Sequence, residues 1–102
     1  MKKLESKLKR MKEQSIAKFE TFHVRVQKAL RLQVPRVLRW KYKLEAGMVF
    51  RVQVEKVDTC KSHTYLTRLQ RSGRISIPKI AAEIIELKPG DLVRVAVWLL
   101  KV

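Results

Sequence analysis

Apolar and polar residues alternate along several short stretches of the chain from residue 20 onward. Within residues 22–26, 32–34 and 50–54, every second residue is apolar. Successive side chains of a β-strand point to opposite faces, so this period predicts three half-buried strands. Pro35 ends the second strand, and the clustered apolar side chains of residues 36–43 predict a short helix before the third.

The same order of elements recurs in the second half of the chain. Alternation within residues 65–69, 75–77 and 93–97 predicts three further strands, and the apolar spacing within 79–86 predicts a second short helix. Gly73 marks the turn between the first two of these strands, and a Pro-Gly pair marks another turn before the last.

The two halves are an internal repeat, because they align with a constant offset of 43 positions and no gap. For example, residues 31–37 match residues 74–80. One ββαβ unit therefore occurs twice, at 21–57 and 64–100. A single unit has too few strands to bury its own apolar face. The sequence predicts one domain over residues 20–102, in which the two units close a common core with pseudo-two-fold symmetry.

Residues 1–19 form a separate segment with seven lysines or arginines and no glycine or proline. Leu4, Leu8 and Met11 have helical spacing, although the apolar stripe is narrow. This pattern predicts a basic, partly helical N-terminal arm. The alternative is a frayed terminus with little order in isolation.

The chain is strongly basic for its 102 residues. It has 24 lysines and arginines against 9 acidic residues, a formal net charge of +15. The usual partners of such a surface are nucleic acid, an anionic membrane or an acidic protein, and the alternative is a solvated basic surface without a specific partner. We expect nucleic acid, because basic patches on small domains are most often footprints for phosphates.

Membrane insertion and secretion are not expected. No apolar run approaches the roughly 20 residues of a spanning helix, and no apolar segment follows the basic start as in a secretory signal. The single cysteine, Cys60, has no partner for an internal disulfide and fits a reducing compartment. We therefore expect a cytoplasmic, nucleoid-associated protein.

Two motifs of the second half are similar to those of a known family. Residues 71–79 read Arg-Ser-Gly-Arg-Ile-Ser-Ile-Pro-Lys, and residues 87–95 read Leu-Lys-Pro-Gly-Asp-Leu-Val-Arg-Val. Together they resemble the SpoVT/AbrB-like, swapped-hairpin family over residues 64–98. The first half, 21–55, matches that pattern only through the internal repeat, and it has Ala29-Leu30 where the second half has Ser72-Gly73.

The resemblance implies an α+β, mainly β fold in which two hairpin units interleave into a small swapped-hairpin barrel. Family members usually form it from two chains, so this chain would be a single-chain pseudo-dimer of two tandem ββαβ repeats. Members are typically DNA-binding transcription regulators or the antitoxin half of a toxin–antitoxin pair. The resemblance thus implies double-stranded DNA as the partner.

The basic residues that contact DNA in this family lie on the first strand, its turn and the short helix. Carried over by position, they are Arg25, Lys28, Arg31, Arg36, Arg39, Arg68, Arg71, Arg74 and Lys79. One departure concerns the second helix, where Ala82 and Glu83 stand at positions that are often arginine in DNA-binding relatives. The first-half counterparts are Arg39 and Trp40, so we expect unequal halves with a larger contribution from the first helix.

Other candidate chemistry in the sequence is weak. Arg51 and Arg94 lie next to core positions, which favours a structural role. Trp40 and Trp98 can stack on bases, but core or interface packing is the favoured interpretation. Cys60 and His63 are half of a zinc ligand set, and His23 is the only other histidine. No catalytic constellation or phosphate loop is apparent, so we expect neither an enzyme nor a metal or cofactor.

The sequence favours a duplex DNA-binding transcription regulator. The alternatives that stay open are an antitoxin-like module with an acidic protein partner, and a chromatin-organising or RNA-binding basic protein. Further self-association of the pseudo-dimer is also left open.

Overall fold

A computed structural model describes residues 19–99 and shows a small α+β protein that is mainly β, as predicted. The arm predicted for residues 1–19 lies outside the described residues, except that Phe19 opens the first strand. The elements in chain order are β1 (Phe19–Arg25), β2 (Arg31–Gln33), α1 (Arg36–Lys41), β3 (Val49–Lys56), β4 (Ser62–Arg68), β5 (Arg74–Ser76), α2 (Lys79–Ile84) and β6 (Leu92–Leu99). Every element of the second half lies 43 positions after its counterpart in the first.

The strands form one four-stranded antiparallel sheet, in the order β1-β6-β3-β4, and a second sheet of β2 and β5. Each edge strand of the larger sheet thus pairs with a strand from the other half of the chain. In the centre of that sheet Gln53 lies opposite Ala96, and in the smaller sheet Leu32 lies opposite Ile75. In both sheets, therefore, a residue faces the residue 43 positions away.

The core lies between the two sheets and is built from the alternating apolar residues. Leu32 and Ile75 from the small sheet and Val52, Val54 and Val95 from the large sheet are all 0% exposed. Branched side chains suit the pleated surface of a strand, and burial of each contributes roughly 1.5–3 kcal/mol. Because Leu32 and Ile75 face the core, the residues that alternate with them along β2 and β5 point away from it.

The two helices begin and end in the same way. Each follows a proline, Pro35 or Pro78, whose φ of −56° or −57° suits a helix start. Each is six residues long, shorter than the sequence predicted. Each ends because a nearby residue, Lys43 or Glu86, adopts a left-handed φ of 52° or 57°. Neither of these is a glycine, so the helix ends carry no obvious signal in the sequence.

The helices differ in how they pack. α2 buries Ala81 and Ala82, whereas α1 buries none of its residues. Trp40 in α1 is 86% exposed, so of the predicted core or interface packing the core part is wrong, and interface packing stays a prediction. Its side of α1 faces solvent, whereas the half-buried Leu38 of the same helix packs against the core.

Candidate nucleic-acid interface

The outward side of the small sheet brings several of the predicted site residues together. Leu32 and Ile75 point into the core, so the alternating neighbours on both strands point away from it. These neighbours are Arg31, Gln33, Arg74 and Ser76. We call them, together with the turns 28–30 and 71–73 that precede the two strands, the β2–β5 face. It contains Lys28 and Arg71, both exposed.

Gln33 holds the β2–β5 face together. Its Nε2 donates to the carbonyl oxygens of Ser72 and Gly73, both at 3.2 Å. Arg74 Nε in turn donates to Gln33 Oε1 at 3.3 Å. These bonds fix β2 to the turn 71–73 and orient the Arg74 guanidinium. Gln33 is not among the site residues predicted from the sequence, although the alternation along β2 places it on the outward side.

Arg39 reaches from α1 to the turn of the other half. A Cβ built on Gly73 would clash with Nη1 and Cζ of Arg39, so the guanidinium occupies the space that a side chain at position 73 would need. Gly73 also has a φ of +77°, which disfavours any other residue. The Nε of Arg39 is buried, with no hydrogen-bond partner among the described residues.

Arg25 and Arg68 occupy equivalent places at the ends of β1 and β4. Arg25 Nη1 donates to the carbonyl oxygen of Gly90, and Arg68 Nη1 donates to that of Gly47, both at 3.0 Å. Each bond ties a strand end to a turn in the other half. Both arginines are exposed, and a guanidinium has five N–H donors, so one such bond leaves others for a ligand.

The remaining predicted residues, Arg36 and Lys79, open the two helices and are exposed. The structure therefore places four of the nine predicted residues on the β2–β5 face. Three lie on the helices that follow its strands, and two lie on the strands that lead into its turns. Seven of the nine are exposed, and Arg39 and Arg74 are half-buried.

Acidic residues are absent from the segments that carry this site. No aspartate or glutamate occurs in residues 21–44 or 59–82, which together contain twelve lysines and arginines, including all nine predicted site residues. Among residues 19–99, the side-chain ion pairs use other cations. They are Lys41–Glu20 at 3.3 Å, Lys56–Asp91 at 3.5 Å, Lys61–Glu86 at 3.4 Å and Arg94–Glu55 at 4.0 Å. The nine site cations thus have no carboxylate partner within the described part of the chain.

The outward side of the four-stranded sheet is the contrasting surface. Arg51 and Arg94, for which the sequence favours a structural role, are exposed there, and Arg94 pairs with Glu55. A shallow depression of about 200 Å³ lies on this side. It is lined by Thr21, Gln53, Glu55, Arg94, Ala96 and Trp98. The Glu55 carboxylate lies in this surface, so its positive potential is partly cancelled.

A polar cluster between β1 and α1 exists only in the first half. The Tyr42 hydroxyl and Lys41 Nζ both donate to Glu20 Oε1. These bonds, with Tyr42 the stronger influence, lower the pKa of Glu20 below its usual value. The bonds to Tyr42 and Glu20 raise the pKa of Lys41. The equivalent second-half positions are His63, Ile84 and Ile85, which cannot repeat this arrangement.

Two further findings concern metal binding and membrane-spanning helices within the described residues. Within residues 19–99, no group of three or more His, Cys, Asp or Glu side chains is placed to bind a metal ion. Neither helix of the described region is long and apolar enough to cross a membrane.

Comparison with known proteins supports the fold. No protein-family model and no curated protein matches the chain. A similar solved structure is the solution structure of PHS018 from Pyrococcus horikoshii, with a TM-score of 0.70. The likeness covers 80% of this chain and 95% of that chain at 24% sequence identity. Identity at this level shows a shared fold and says nothing about a shared function.

Proposed function

We propose that this protein binds duplex DNA through the β2–β5 face and acts as a regulator of transcription. The observation that carries the proposal is the concentration of nine cations around that face, without a carboxylate partner among residues 19–99. Grouped like charges repel one another and lower stability unless an anionic partner neutralises them. Phosphates of a nucleic acid supply that partner, and neutralising them releases counterions.

The proposal includes a swapped-hairpin fold in which one chain supplies both halves of a pseudo-dimer. The cross-half strand pairs, and the opposition of Leu32 to Ile75 and of Gln53 to Ala96, support it. A pseudo-two-fold axis that passes between Leu32 and Ile75 and between Gln53 and Ala96 would cross the protein surface at the centre of the β2–β5 face. A duplex also has local two-fold axes, so such a face can be aligned with the DNA.

The shape of the small sheet suits the major groove. That groove admits a two-stranded β-ribbon, and β2 and β5 are two short antiparallel strands. Arg31 and Arg74 on the ribbon can reach the bases, where a guanidinium pairs with the O6 and N7 atoms of guanine. Lys28 and Lys79 beside it are suited to phosphates, which position the protein without reading sequence.

The test compares two double variants that remove the same charge from opposite faces. Lys28→Ala/Lys79→Ala removes the two lysines proposed to hold phosphates at the β2–β5 face, and Arg51→Ala/Arg94→Ala removes the same charge from the outer side of the large sheet. Fluorescence anisotropy with a labelled 30-base-pair duplex is measured at several salt concentrations. For each phosphate contact, log K should fall with log salt by a slope of about 0.9.

We expect the β2–β5 variant to lose about two contacts from the salt slope and the control to keep the wild-type slope. Equal losses from the two variants, or binding that does not change with salt, would refute the proposed surface. The same titration with single-stranded RNA decides between DNA and RNA. Tighter RNA binding would favour the RNA-binding alternative.

A second candidate, an antitoxin-like module with an acidic protein partner, is favoured by one observation. The helices expose large apolar side chains, with Val37, Trp40, Ile80 and Ile84 all at least 52% exposed. Exposed apolar groups that lie together are typical of protein-binding surfaces. A Trp40→Ala variant that binds duplex normally, but no longer co-purifies with an acidic protein that the wild type retains, would support this candidate.

A further inference from the structure

We infer that the two ends of the β2–β5 face have different tasks, so that the protein sits on non-palindromic DNA in one orientation. One end reads bases with arginines, and the other end mainly anchors phosphates with lysines. This inference rests on the proposed DNA binding and adds to it a direction and a division of labour.

Each helix lies next to the turn of the opposite half. The backbone N–H of Val34, just before α1, donates to the Gly73 carbonyl oxygen at 2.9 Å. The backbone N–H of Ile77, just before α2, donates to the Leu30 carbonyl oxygen at 2.8 Å. Consequently α1 begins beside the turn 71–73, and α2 begins beside the turn 28–30.

This crossing sorts seven of the nine site cations into two unlike groups, and Arg25 and Arg68, which occupy equivalent places in the two halves, do not distinguish the ends. The Gly73 end consists of the turn 71–73, the start of β5 and α1, and its site cations are Arg36, Arg39, Arg71 and Arg74. The Leu30 end consists of the turn 28–30, the start of β2 and α2, and its site cations are Lys28, Arg31 and Lys79. The first group is entirely arginine, whereas the second has two lysines and one arginine.

The two side chains are not equivalent in recognition. A guanidinium is a planar fork that pairs bidentately with a guanine edge. An ammonium is a compact point charge that attracts phosphate without strong directional preference. The Gly73 end is therefore suited to discriminate bases, and the Leu30 end is suited to hold the backbone.

A reciprocal exchange of large and small residues maintains this difference. At one end Arg39 lies over Gly73, which has no side chain. At the other end the equivalent positions hold Ala82, which is 5% exposed, and Leu30, whose half-buried side chain packs against the core. By this equivalence, the Leu30 side chain fills the space that a guanidinium from position 82 would need.

The contact with Gly73 also prepares Arg39 for recognition. Its guanidinium is laid against the turn, and the half-buried side chain has lost much of its conformational freedom before any ligand arrives. Arg74, next in the chain to Gly73, is likewise held by Gln33. Two of the four arginines at this end are thus oriented in the free protein.

The first experiment is selection of bound sequences from a library of duplexes with a randomised 30-base-pair centre. We expect the wild type to enrich a site whose preferred bases lie on one side of its centre, without an inverted repeat. Enrichment of a palindrome, or binding without enrichment, would overturn the inference while leaving DNA binding intact. Retention of no duplex at all would instead refute the proposed function, and the inference with it.

The second experiment separates reading from anchoring. Arg39→Lys keeps the charge but removes the fork, so we expect about a tenfold or larger loss of preference for the selected duplex over a scrambled one, with an unchanged salt slope. The matched variant Lys28→Ala/Lys79→Ala should lower the salt slope by about two contacts and keep that preference. The opposite pattern in the two variants would contradict the division of labour.

A third variant makes the two ends alike. Leu30→Gly/Ala82→Arg copies the Gly73 arrangement to the Leu30 end, and glycine suits the left-handed φ of 54° at position 30. After thermal unfolding has confirmed a folded protein, selection should return a site with an added inverted copy of the wild-type half. A site unchanged from wild type would count against the exchange as the cause of the asymmetry, and if the variant does not fold, Arg39→Lys decides.

Discussion

The hydroxyl of Tyr65 is buried and has no hydrogen-bond partner among the described residues. Tyr65 lies on β4 and packs against the core, and the equivalent residue of the first half is Phe22. The chain therefore tolerates a phenyl ring without a hydroxyl in this environment. A buried donor that lacks a partner costs about 1–3 kcal/mol, because it has given up its bond to water. Tyr65→Phe removes that cost and almost no packing.

We expect Tyr65→Phe to raise the free energy of unfolding by about 1 kcal/mol, at the lower end of that range. For a domain of this size, such a change raises the Tm by roughly 4–8 °C. Thermal unfolding followed by circular dichroism at pH 7 measures it. Tyr42→Phe is the matched control with the opposite expected sign, because the Tyr42 hydroxyl donates to the Glu20 carboxylate.

The same substitution predicts a dependence on pH. Burial raises the pKa of Tyr65, because the apolar surroundings disfavour the phenolate. The folded state therefore keeps the proton above pH about 10, where an unfolded tyrosine loses it. Ionisation of Tyr65 therefore leaves the stability of the folded protein unchanged below pH about 10 and lowers it as the pH rises from there toward the folded pKa. Phenylalanine has no such loss, so the advantage of Tyr65→Phe should grow between pH 8 and pH 10.5.

The result that refutes this reasoning is a variant less stable than wild type at pH 7. It would mean that the Tyr65 hydroxyl has a partner, such as an ordered water, whose bond outweighs the cost of burial. An advantage that stays constant between pH 8 and pH 10.5 would refute the second part alone.

Three other predictions follow from the contacts. Arg25→Ala and Arg68→Ala should each lower stability by about 0.5–1 kcal/mol, and by similar amounts in urea unfolding, because each loses an equivalent exposed bond to a glycine carbonyl; clearly unequal losses would contradict that equivalence. Glu20→Gln should lower the Tm by more at pH 7 than at pH 3, since the stability that comes from a lowered carboxylate pKa is present above pH about 4.5 and is lost as the pH falls through the folded pKa; an equal deficit at both pH values would rule out this origin. Gly73→Ala should lower stability by about 1–2 kcal/mol, because it strains a left-handed turn and displaces the Arg39 guanidinium. In calorimetry the double variant Gly73→Ala/Arg39→Ala should lose less stability than the sum of the two single variants, and an additive loss would contradict the contact.

The strands could be predicted from the sequence because their pattern is local and strong. The alternating valines of β3 and β6, such as Val52 and Val95, are buried on one side and leave polar residues on the other. This period of two has no helical interpretation. The positions of both helices followed from the same local reasoning. Their early ends did not, because Lys43 and Glu86 adopt left-handed conformations that nothing in their chemistry demands.

The site was predictable only in part, because its decisive contacts are long-range. Exposure of Arg31, Lys28 and Arg71 follows from alternation and from turn positions. The contact between Arg39 and Gly73 joins residues in different halves and depends on which strands pair. Exposure of Trp40 is likewise set by how α1 packs. An apolar residue in a short helix is usually assigned to the core, and only the tertiary arrangement shows otherwise.

The distribution of acidic residues adds a physical argument about this surface. A chain with a net charge of +15 would reduce its self-repulsion most by dispersing its few carboxylates among the cations. Here the carboxylates instead pair with cations outside the predicted site, such as Lys56 and Lys61. The repulsion among the site cations is therefore left in place in the free protein. A surface optimised for stability alone would not keep that repulsion. On a surface that binds a polyanion, the charge of the bound anion removes the repulsion, and the free energy that it cost is regained on binding.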